Sequence, residues 1–288
     1  MFTTGTLAAR IERAECSMLT ELAAAAAERN PERVSVHPVG GGFAIYMGVG
    51  SPSNKLAGLG FGSPPTEAEL EAAEHAFALR NAPLQAEVSS LADPSVLRTL
   101  SRRGYDLIGF ENVLGLPLGR DAAETLHDSA IEITRAVRDD RASTRQWMDA
   151  VVTGFLHPDT YDGPPSHESI DRDAMERVLG DTFAAASFER YLARIDGVVA
   201  GGASLRLENG VAQLAGAATV PEARRKGVQT ALLRYRLREA ARRGCDIAAV
   251  TTQPGSRSTE NVQRFGFAIL YVRAIMVKPP PAASHPDV

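Results

Sequence analysis

The sequence predicts an α/β protein of α+β character, built from two copies of one mixed architecture. Three observations carry this. At 288 residues, 44% hydrophobic and 23% charged, the chain has the size and composition of a soluble protein with two ordinary domains. Strand and helix patterns alternate along both halves, with Asp196-Gly197 and Asn209-Gly210 marking tight hairpins in the second. A weak internal repeat relates the segment beginning at Ser101 to the one beginning at Val262. It lays Gly104 on Gly266, Tyr105 on Phe267, Leu107 on Ile269, Val113 on Ile275 and Pro117 on Pro279. The expected boundary gives domains of residues 1–120 and 121–288, with the polar Gly119-Arg120-Asp121 at the junction.

In the first half, Cys16 to Asn30 is an alanine-rich helix pattern, and Ser35 to Gly48 is extended with a turn at Gly40-Gly41-Gly42. Pro65 and the acids Glu67 and Glu69 open a helix that runs to about Arg80. A strand from Pro83 to Ser89, a helix from Pro94 to Arg103 and a long strand from Ile108 to Leu118 complete this half. The second half reads as helix over Ala122 to Ser129, strand over Ile131 to Val137 and helix over Ser143 to Phe155. A Pro/Gly/Asp-rich loop from His157 to His167 precedes a helix over Arg172 to Phe183. Three strands follow, Glu189 to Ile195, Val198 to Leu207 and Val211 to Val220. A long helix, a strand over Asp246 to Thr252, a short helix over Ser256 to Phe265 and a strand over Ala268 to Lys278 end the pattern.

A formal net charge of −4 excludes bulk affinity for nucleic acid or anionic membrane. Two cysteines, Cys16 and Cys245, make no disulfide framework and no metal-ligand spacing. The chain start lacks an apolar signal region, and no apolar run approaches the roughly 20 residues a membrane helix needs, so a cytoplasmic location is expected.

The chemistry concentrates in V-P-E-A-R-R-K-G-V-Q-T, Val220 to Thr230. A strand ends, three cations follow, and a helix begins after Gly227. The positive end of a helix dipole disfavours cations, so their presence points to an anion that both would hold. Gly227 lets backbone approach a ligand closely. A phosphate or pyrophosphate fits. Neither the Walker loop nor the G-x-G-x-x-G fingerprint is present, and the antiparallel strands before the loop argue against a dinucleotide fold.

Arg224-x-x-Gly227-x-Gln229 after an antiparallel strand resembles the [R/Q]-x-x-G-x-[G/A] motif of the GNAT superfamily of N-acetyltransferases. Pro254 to Phe267, a short helix bearing Asn and ending in Gly-Phe, resembles that family's second signature. The resemblance covers about residues 125–278. It implies tandem GNAT-like domains, each a mixed, mostly antiparallel central sheet flanked by helices, with acetyl-CoA as co-substrate. By that resemblance the main chain of Thr219 and Val220 would pair with the pantetheine arm. The N–H groups of Lys226, Gly227, Val228, Gln229 and Thr230 would hold the pyrophosphate, with Arg224, Arg225 and Lys226 nearby, and Asn261 would bond the pantetheine. The backbone N–H of Val220 or its neighbour would polarise the thioester carbonyl.

The chain departs from the family pattern in two places. Gln229 stands where the motif has Gly or Ala. Val262 stands near the place where many members carry a tyrosine that protonates the leaving thiolate. Ser256, Ser258 and Tyr271 are the remaining candidates for a proton donor, and no base is assigned; Glu208 and Glu222 read as surface acids. His157, Asp159, Tyr161, Asp162 and His167 crowd one loop without a metal pattern, and in the related fold this loop borders the acceptor, which makes Tyr161 the substrate candidate. Trp147 reads as core. Arg234, Arg236, Arg238, Arg242 and Arg243 read as the solvated face of a helix that buries Leu233, Leu237, Ala240 and Ala241, not as a nucleic-acid surface. The first half has no R-x-x-G and carries acids at the matching helix start, so it is expected to have lost the cofactor. The expected function is transfer of acetyl from acetyl-CoA to a small-molecule or peptide amine, without metal, nucleic acid or membrane partner and with a homodimer allowed. The alternative is a non-catalytic acyl-CoA-binding regulatory protein.

Overall fold

A computed structural model describes residues 3–119, 131–137, 139–157 and 172–281. The helix expected over Ala122 to Ser129 lies outside the described residues. The first half begins with α1 (Gly5–Arg29), which starts earlier than its alanine pattern suggested because Thr4 accepts a capping bond from the Leu7 N–H at 3.2 Å. Then come β1 (Ser35–Val39), β2 (Gly42–Tyr46), β3 (Lys55–Ala57), α2 (Glu67–Ala78), β4 (Leu84–Ser89), α3 (Pro94–Arg102) and β5 (Asp106–Pro117). The second half runs β6 (Glu132–Arg135), α4 (Arg141–Leu156), α5 (Arg172–Ala184), β7 (Phe188–Ile195), β8 (Val198–Glu208) and β9 (Val211–Thr219). It ends with α6 (Val228–Arg242), β10 (Ile247–Thr252), α7 (Arg257–Arg264) and β11 (Ala268–Lys278). The three-residue β3 carries no strand signal of its own and was not expected.

The two halves repeat one another. Each has three successive antiparallel strands (β1–β3 and β7–β9), a helix, one strand parallel to the third, a second helix and a long final strand, and the second half adds β6, antiparallel to β7. The repeat glycines close α3 and α7 alike. Gly104 and Gly266 both have positive φ, 84° and 94°. The N–H of Tyr105 returns to the Leu100 carbonyl and that of Phe267 to the Val262 carbonyl, each at 3.1 Å. Tyr105 and Phe267 are then buried alike.

The compact units do not follow a single cut at residue 120. One comprises residues 4–111 with the chain from Tyr271 onward, and the other is Asn112–Leu270. Each half thus gives the end of its last strand, Asn112–Pro117 of β5 and Tyr271–Lys278 of β11, to the other unit. In the first unit the strand order is β1-β2-β3-β4-β11, and β11 pairs antiparallel with β4 from Arg273↔Ser89 to Lys278↔Leu84. In the second the order is β5-β10-β9-β8-β7-β6, and β5 pairs antiparallel with β10 from Asn112↔Thr252 to Pro117↔Ile247.

The second unit has helices on both faces. Alternate residues of β7 point to opposite sides. Tyr191 and Ala193 join the core under α6 with Leu232, Leu233 and Leu237, while Leu192 joins Trp147 and Val151 of α4. Trp147 is fully buried, as its sequence context suggested. Asp196-Gly197 and Asn209-Gly210 have φ of 50°, 79°, 47° and 78°, the all-positive pair that tight hairpins need. No disulfide joins Cys16 and Cys245; both are buried thiols.

In the first unit, charged side chains of Lys55 on β3, Glu87 on β4, Glu111 on β5 and Arg273 on β11 meet Glu12 and Glu15 of α1. Arg273 is 1% exposed. Its Nε lies 2.9 Å from Glu12, its Nη1 3.5 Å from both Glu87 and Glu111, and its Nη2 4.0 Å from Glu15. Lys55 Nζ lies 2.5 Å from Glu87. Four carboxylates face two cations. Burial, then the Glu87 charge, pushes the Glu111 carboxyl from 4.5 up to about 8, and burial also raises Glu15. A carboxyl so raised keeps in the folded state a proton that the unfolded chain has lost. Its stabilising contribution is full below pH 4.5 and fades as pH rises through about 8. Glu111→Gln should therefore match wild type in thermal unfolding near about pH 5 and exceed it near about pH 9. An equal difference from wild type at both pH values would remove Glu111 as the titrating group.

Candidate functional site

Parallel pairing between β9 and β10 is confined to Val211–Gln213 against Ile247–Ala249. Both strands continue, β9 to Thr219 and β10 to Thr252, and a wedge opens between them. β10 stays bound to β5 on its other side. The Val220 N–H donates to the Ala200 carbonyl at 3.1 Å, and Thr219 stands opposite Gly201. By the alternation of an antiparallel ladder, the Thr219 amide groups then point away from β8 and into the wedge. Val220 itself does not suit the roles expected of it. Its N–H is bound to Ala200, and its carbonyl accepts from the Ala223 N–H at 3.0 Å.

β9 carries a bulge. Ser204 stands opposite Ala215 and Gly202 opposite Ala218, so Ala203 faces both Gly216 and Ala217. Gly216 has φ of 56°, a left-handed geometry typical of a glycine bulge. The Ala203 carbonyl accepts from the Trp147 indole Nε1 at 3.3 Å. Three further glycines let the helices close on this region. A Cβ on Gly154 of α4 would stand 2.6 Å from the Ala218 Cβ and 3.1 Å from the Thr219 carbonyl oxygen. One on Gly201 would stand 2.8 Å from the Val228 side chain, and one on Gly202 2.9 Å from the Val151 side chain. None of these was singled out from sequence, although a lone glycine inside a helix or strand pattern signals close approach.

At the far end of the wedge the chain turns through Pro221–Ala223 and enters α6. Gly227 is the N-cap, with φ of 84° and no side-chain cap. The first helical bond returns from Ala231 to the Gly227 carbonyl at 2.9 Å, so the N–H groups of Val228, Gln229 and Thr230 have no acceptor within the helix. Arg225 has φ of 61°; the other non-glycine residues of positive φ among those described are Asn or Asp. Such strain in an arginine concentrates at functional sites. The Arg225, Lys226 and Gly227 positions are exposed. Arg224 differs: it is half-buried, and its guanidinium donates to the carbonyl of His157 at the end of α4.

α7 flanks the wedge from the other strand. Asn261 Nδ2 donates to Gln229 Oε1 at 2.7 Å, which ties two of the expected ligand residues directly to each other. Ser256 is the N-cap of α7; its Oγ accepts from the Thr259 N–H at 3.2 Å and so serves the helix. Ser258 is exposed. Tyr271 does not join this site. It belongs to the first unit, is 4% exposed, and donates its hydroxyl to Glu12 at 2.7 Å; burial raises its pKa further. The side-chain alternation of β11 that would have told inward from outward could not be read without knowing its partner. Val262 is buried in the α6 core. Tyr161, with Asp159, Asp162 and His167, lies outside the described residues. No group of three or more His, Cys, Asp or Glu that could hold a metal ion occurs among the described residues.

Arg236 corrects the expectation of a solvated basic face. It is 3% exposed and points under the sheet; its guanidinium Nη1 lies 2.9 Å from the Ser204 carbonyl oxygen and 3.5 Å from that of Ala215. The apolar stripe was identified correctly, but helical periodicity cannot show that a cation will be drawn beneath it.

The matching helix start in the first half is built differently. Thr66 caps α2 by accepting from the Glu69 N–H at 3.2 Å, and Glu69 accepts from the Thr66 N–H at 2.8 Å. A Cβ on Gly40 would stand 2.8 Å from the Pro65 nitrogen, so the β1–β2 turn fills the space before the helix. The N–H groups of Thr66 and Glu69 are satisfied by the chain itself, and Glu67 adds negative charge.

Residues 155–267 match the family model described as the acetyltransferase (GNAT) family. No curated protein matches the chain. Among solved structures, the chain is similar over 96% of its length to 96% of a GCN5-related N-acetyltransferase from Kribbella flavida, at 19% identity and a TM-score of 0.63. It is similar over 91% of its length to 89% of a tandem GNAT protein from the clavulanic acid biosynthesis pathway, at 13% identity and a TM-score of 0.60. A GCN5-related N-acetyltransferase from Sphaerobacter thermophilus matches 74% of the chain over 66% of its own, at 16% identity and a TM-score of 0.52. At these identities the likeness is one of fold.

The two glycine environments predict unequal costs. Gly227→Ala meets open space, its nearest neighbour being Ile131 at 3.9 Å, and should cost about 1 kcal/mol from its left-handed backbone alone. Gly154→Ala forces α4 off β9 and should cost about 1–3 kcal/mol. Urea unfolding of both variants measures the difference, and a larger loss in Gly227→Ala would contradict the packing described.

Proposed function

We propose that the second half of the chain binds acetyl-CoA and transfers its acetyl group to an amine, because residues 155–267 match the GNAT acetyltransferase family model and the chain shares its fold with a tandem GNAT protein. The observation that carries this is the wedge between β9 and β10 with an uncapped, cation-flanked helix start at its end. The pyrophosphate sits on the N–H groups of Val228, Gln229 and Thr230, with Arg225 and Lys226 beside it. The pantetheine runs along Thr219 as an added strand edge, and Asn261 and Gln229 reach it from the two helices. Thr219 replaces Val220 in this role, because the Val220 amide groups are already bound. Arg224 acts by holding the end of α4.

The acceptor is a small-molecule or peptide amine. It attacks the thioester carbonyl carbon, the C–S bond breaks, and the thiolate leaves and takes up a proton. The α4–α5 connection, with Tyr161, would border the acceptor. Neither a base nor a proton donor is assigned to a residue. Ser258 remains a weak candidate for the donor, whereas Ser256 is occupied as a cap and Tyr271 is withdrawn. This lack is the specific observation that favours the second reading, an acyl-CoA-binding regulatory protein without transfer. The first half, residues 1–120 of the proposed division at residue 120, holds no cofactor and serves the architecture.

Calorimetric titration of acetyl-CoA into wild type and Gly227→Glu tests the reading. Wild type should bind, and the carboxylate at the helix start should weaken binding by roughly a hundredfold. Binding to wild type with no acetyl transfer across a panel of amines would select the regulatory alternative. Absence of binding to wild type would overturn both.

A further inference from the structure

Arg236 is a buried cation whose partners are all carbonyl oxygens. Its Nε donates to the Leu232 carbonyl of its own helix at 3.2 Å. Its Nη1 reaches the carbonyls of Ser204 at 2.9 Å and Ala215 at 3.5 Å. No carboxylate pairs with it among the described residues. Burial lowers its pKa to about 10, so it remains charged at neutral pH. A bare buried cation is unfavourable, and hydrocarbon of the same volume at such a site is commonly neutral or stabilising. The residue therefore suggests a role other than stability.

Its position relative to β9 suggests that role. Ser204 and Ala215 are the last pair before the bulge at Gly216. In a planar trans peptide the N–H points opposite to the C=O. Ala215 is paired with Ser204 of β8, and its carbonyl lies 3.5 Å from Arg236 Nη1; with that carbonyl on the β8 side, the N–H of the same peptide, that of Gly216, falls on the wedge side. A guanidinium at the carbonyl end of an amide draws electron density from it and strengthens its N–H as a donor. On the opposite face of the sheet, Trp147 holds the Ala203 carbonyl across from the bulge. The Ser204 hydroxyl is buried and has no partner among the described residues; it lies 3.4 Å from where a Cβ on Gly216 would stand, so the bulge is lined by polar groups that packing alone does not require.

We infer that Arg236 is a positioning residue for acyl transfer, which orients and polarises the bulge amide at Gly216 so that its N–H stabilises the thioester carbonyl oxygen as negative charge develops there. The inference rests on the proposed acetyl-CoA site. It gives α6 two functions. Its N-terminus takes the phosphates, and its third turn acts on the carbonyl through the sheet.

The test uses the full chain and acetyl-CoA labelled with carbon-13 at the acetyl carbonyl. Isotope-edited infrared difference spectra give the carbonyl frequency of the bound thioester, and calorimetry gives its affinity. In wild type the band should lie below that of free acetyl-CoA. In Arg236→Met it should return more than halfway to the free value while affinity changes less than about threefold and thermal stability holds or rises. Arg236→Lys, which keeps charge but not the two-pronged donor, should fall between. Transfer to any amine accepted by wild type should slow by about tenfold in Arg236→Met, less than the hundredfold typical of deleting a donor outright. An unshifted band in wild type, or an equal shift in wild type and Arg236→Met, would overturn the inference and leave the acetyl-CoA site standing. Absence of binding to wild type would instead overturn the site. If Arg236→Met fails to fold, Arg236→Lys carries the test: a band between those of wild type and free acetyl-CoA at near wild-type affinity would support the inference, and a band like that of wild type would overturn it.

Discussion

The separation of β9 from β10 is the constraint on which the site depends. Two parallel strands that stop pairing inside a domain leave amide groups facing a gap, and such groups need a partner. The gap persists because each wall is held from behind. β10 is bound along β5, a strand from the other half of the chain, and the end of β9 is bound to β8 and turned by the bulge at Gly216. Glycines at 154, 201 and 202 let α4 and α6 close on the two faces without filling the edge. What remains is a strand edge with a helix start at its mouth, complementary to an extended chain that carries amides along its length and negative charge at one end.

The two halves share one architecture and differ in how the corresponding helix begins. At α6 the N-cap is a glycine with no side chain to offer, followed by backbone donors without helical acceptors and flanked by cations. At α2 a reciprocal Thr66–Glu69 cap takes up the N–H groups of those two residues, and a glycine turn packs against Pro65 in front of the helix. A few side chains thus convert the same strand-to-helix turn from an anion site into a closed structural corner. The electrostatics differ because the donors are either spent locally or left for a ligand.

Buried charge is likewise used in two ways. In the first unit Arg273 and Lys55 are surrounded by carboxylates, an arrangement in which each charge offsets the burial cost of another. In the second unit the Nε and Nη1 of Arg236 meet carbonyl dipoles, which accept from them but do not offset the charge. The first arrangement compensates charge within a closed core. The second leaves a positive potential beneath the bulge, where the proposed reaction develops negative charge.

The sequence by itself determined what is local. Turn dipeptides with positive φ, the capped start of α2, the apolar stripe of α6 and the cation-glycine run before it were all legible, because each depends on neighbours within a few residues. So was the duplication, through Gly104 and Gly266, since both end a helix in the same left-handed turn. The tertiary structure decided what depends on partners distant in the chain. It exchanged β5 and β11 between the units and placed Tyr271 in a core with Glu12. It bound the Val220 amide groups to Ala200 and Ala223, and drew Arg236 from an apparently solvated face to the underside of β9. Periodicity reports which residues share a face of one element. It carries no information about which strand lies beside that element, and in a sheet the neighbouring strand decides which amide groups are spent and which remain to meet a ligand.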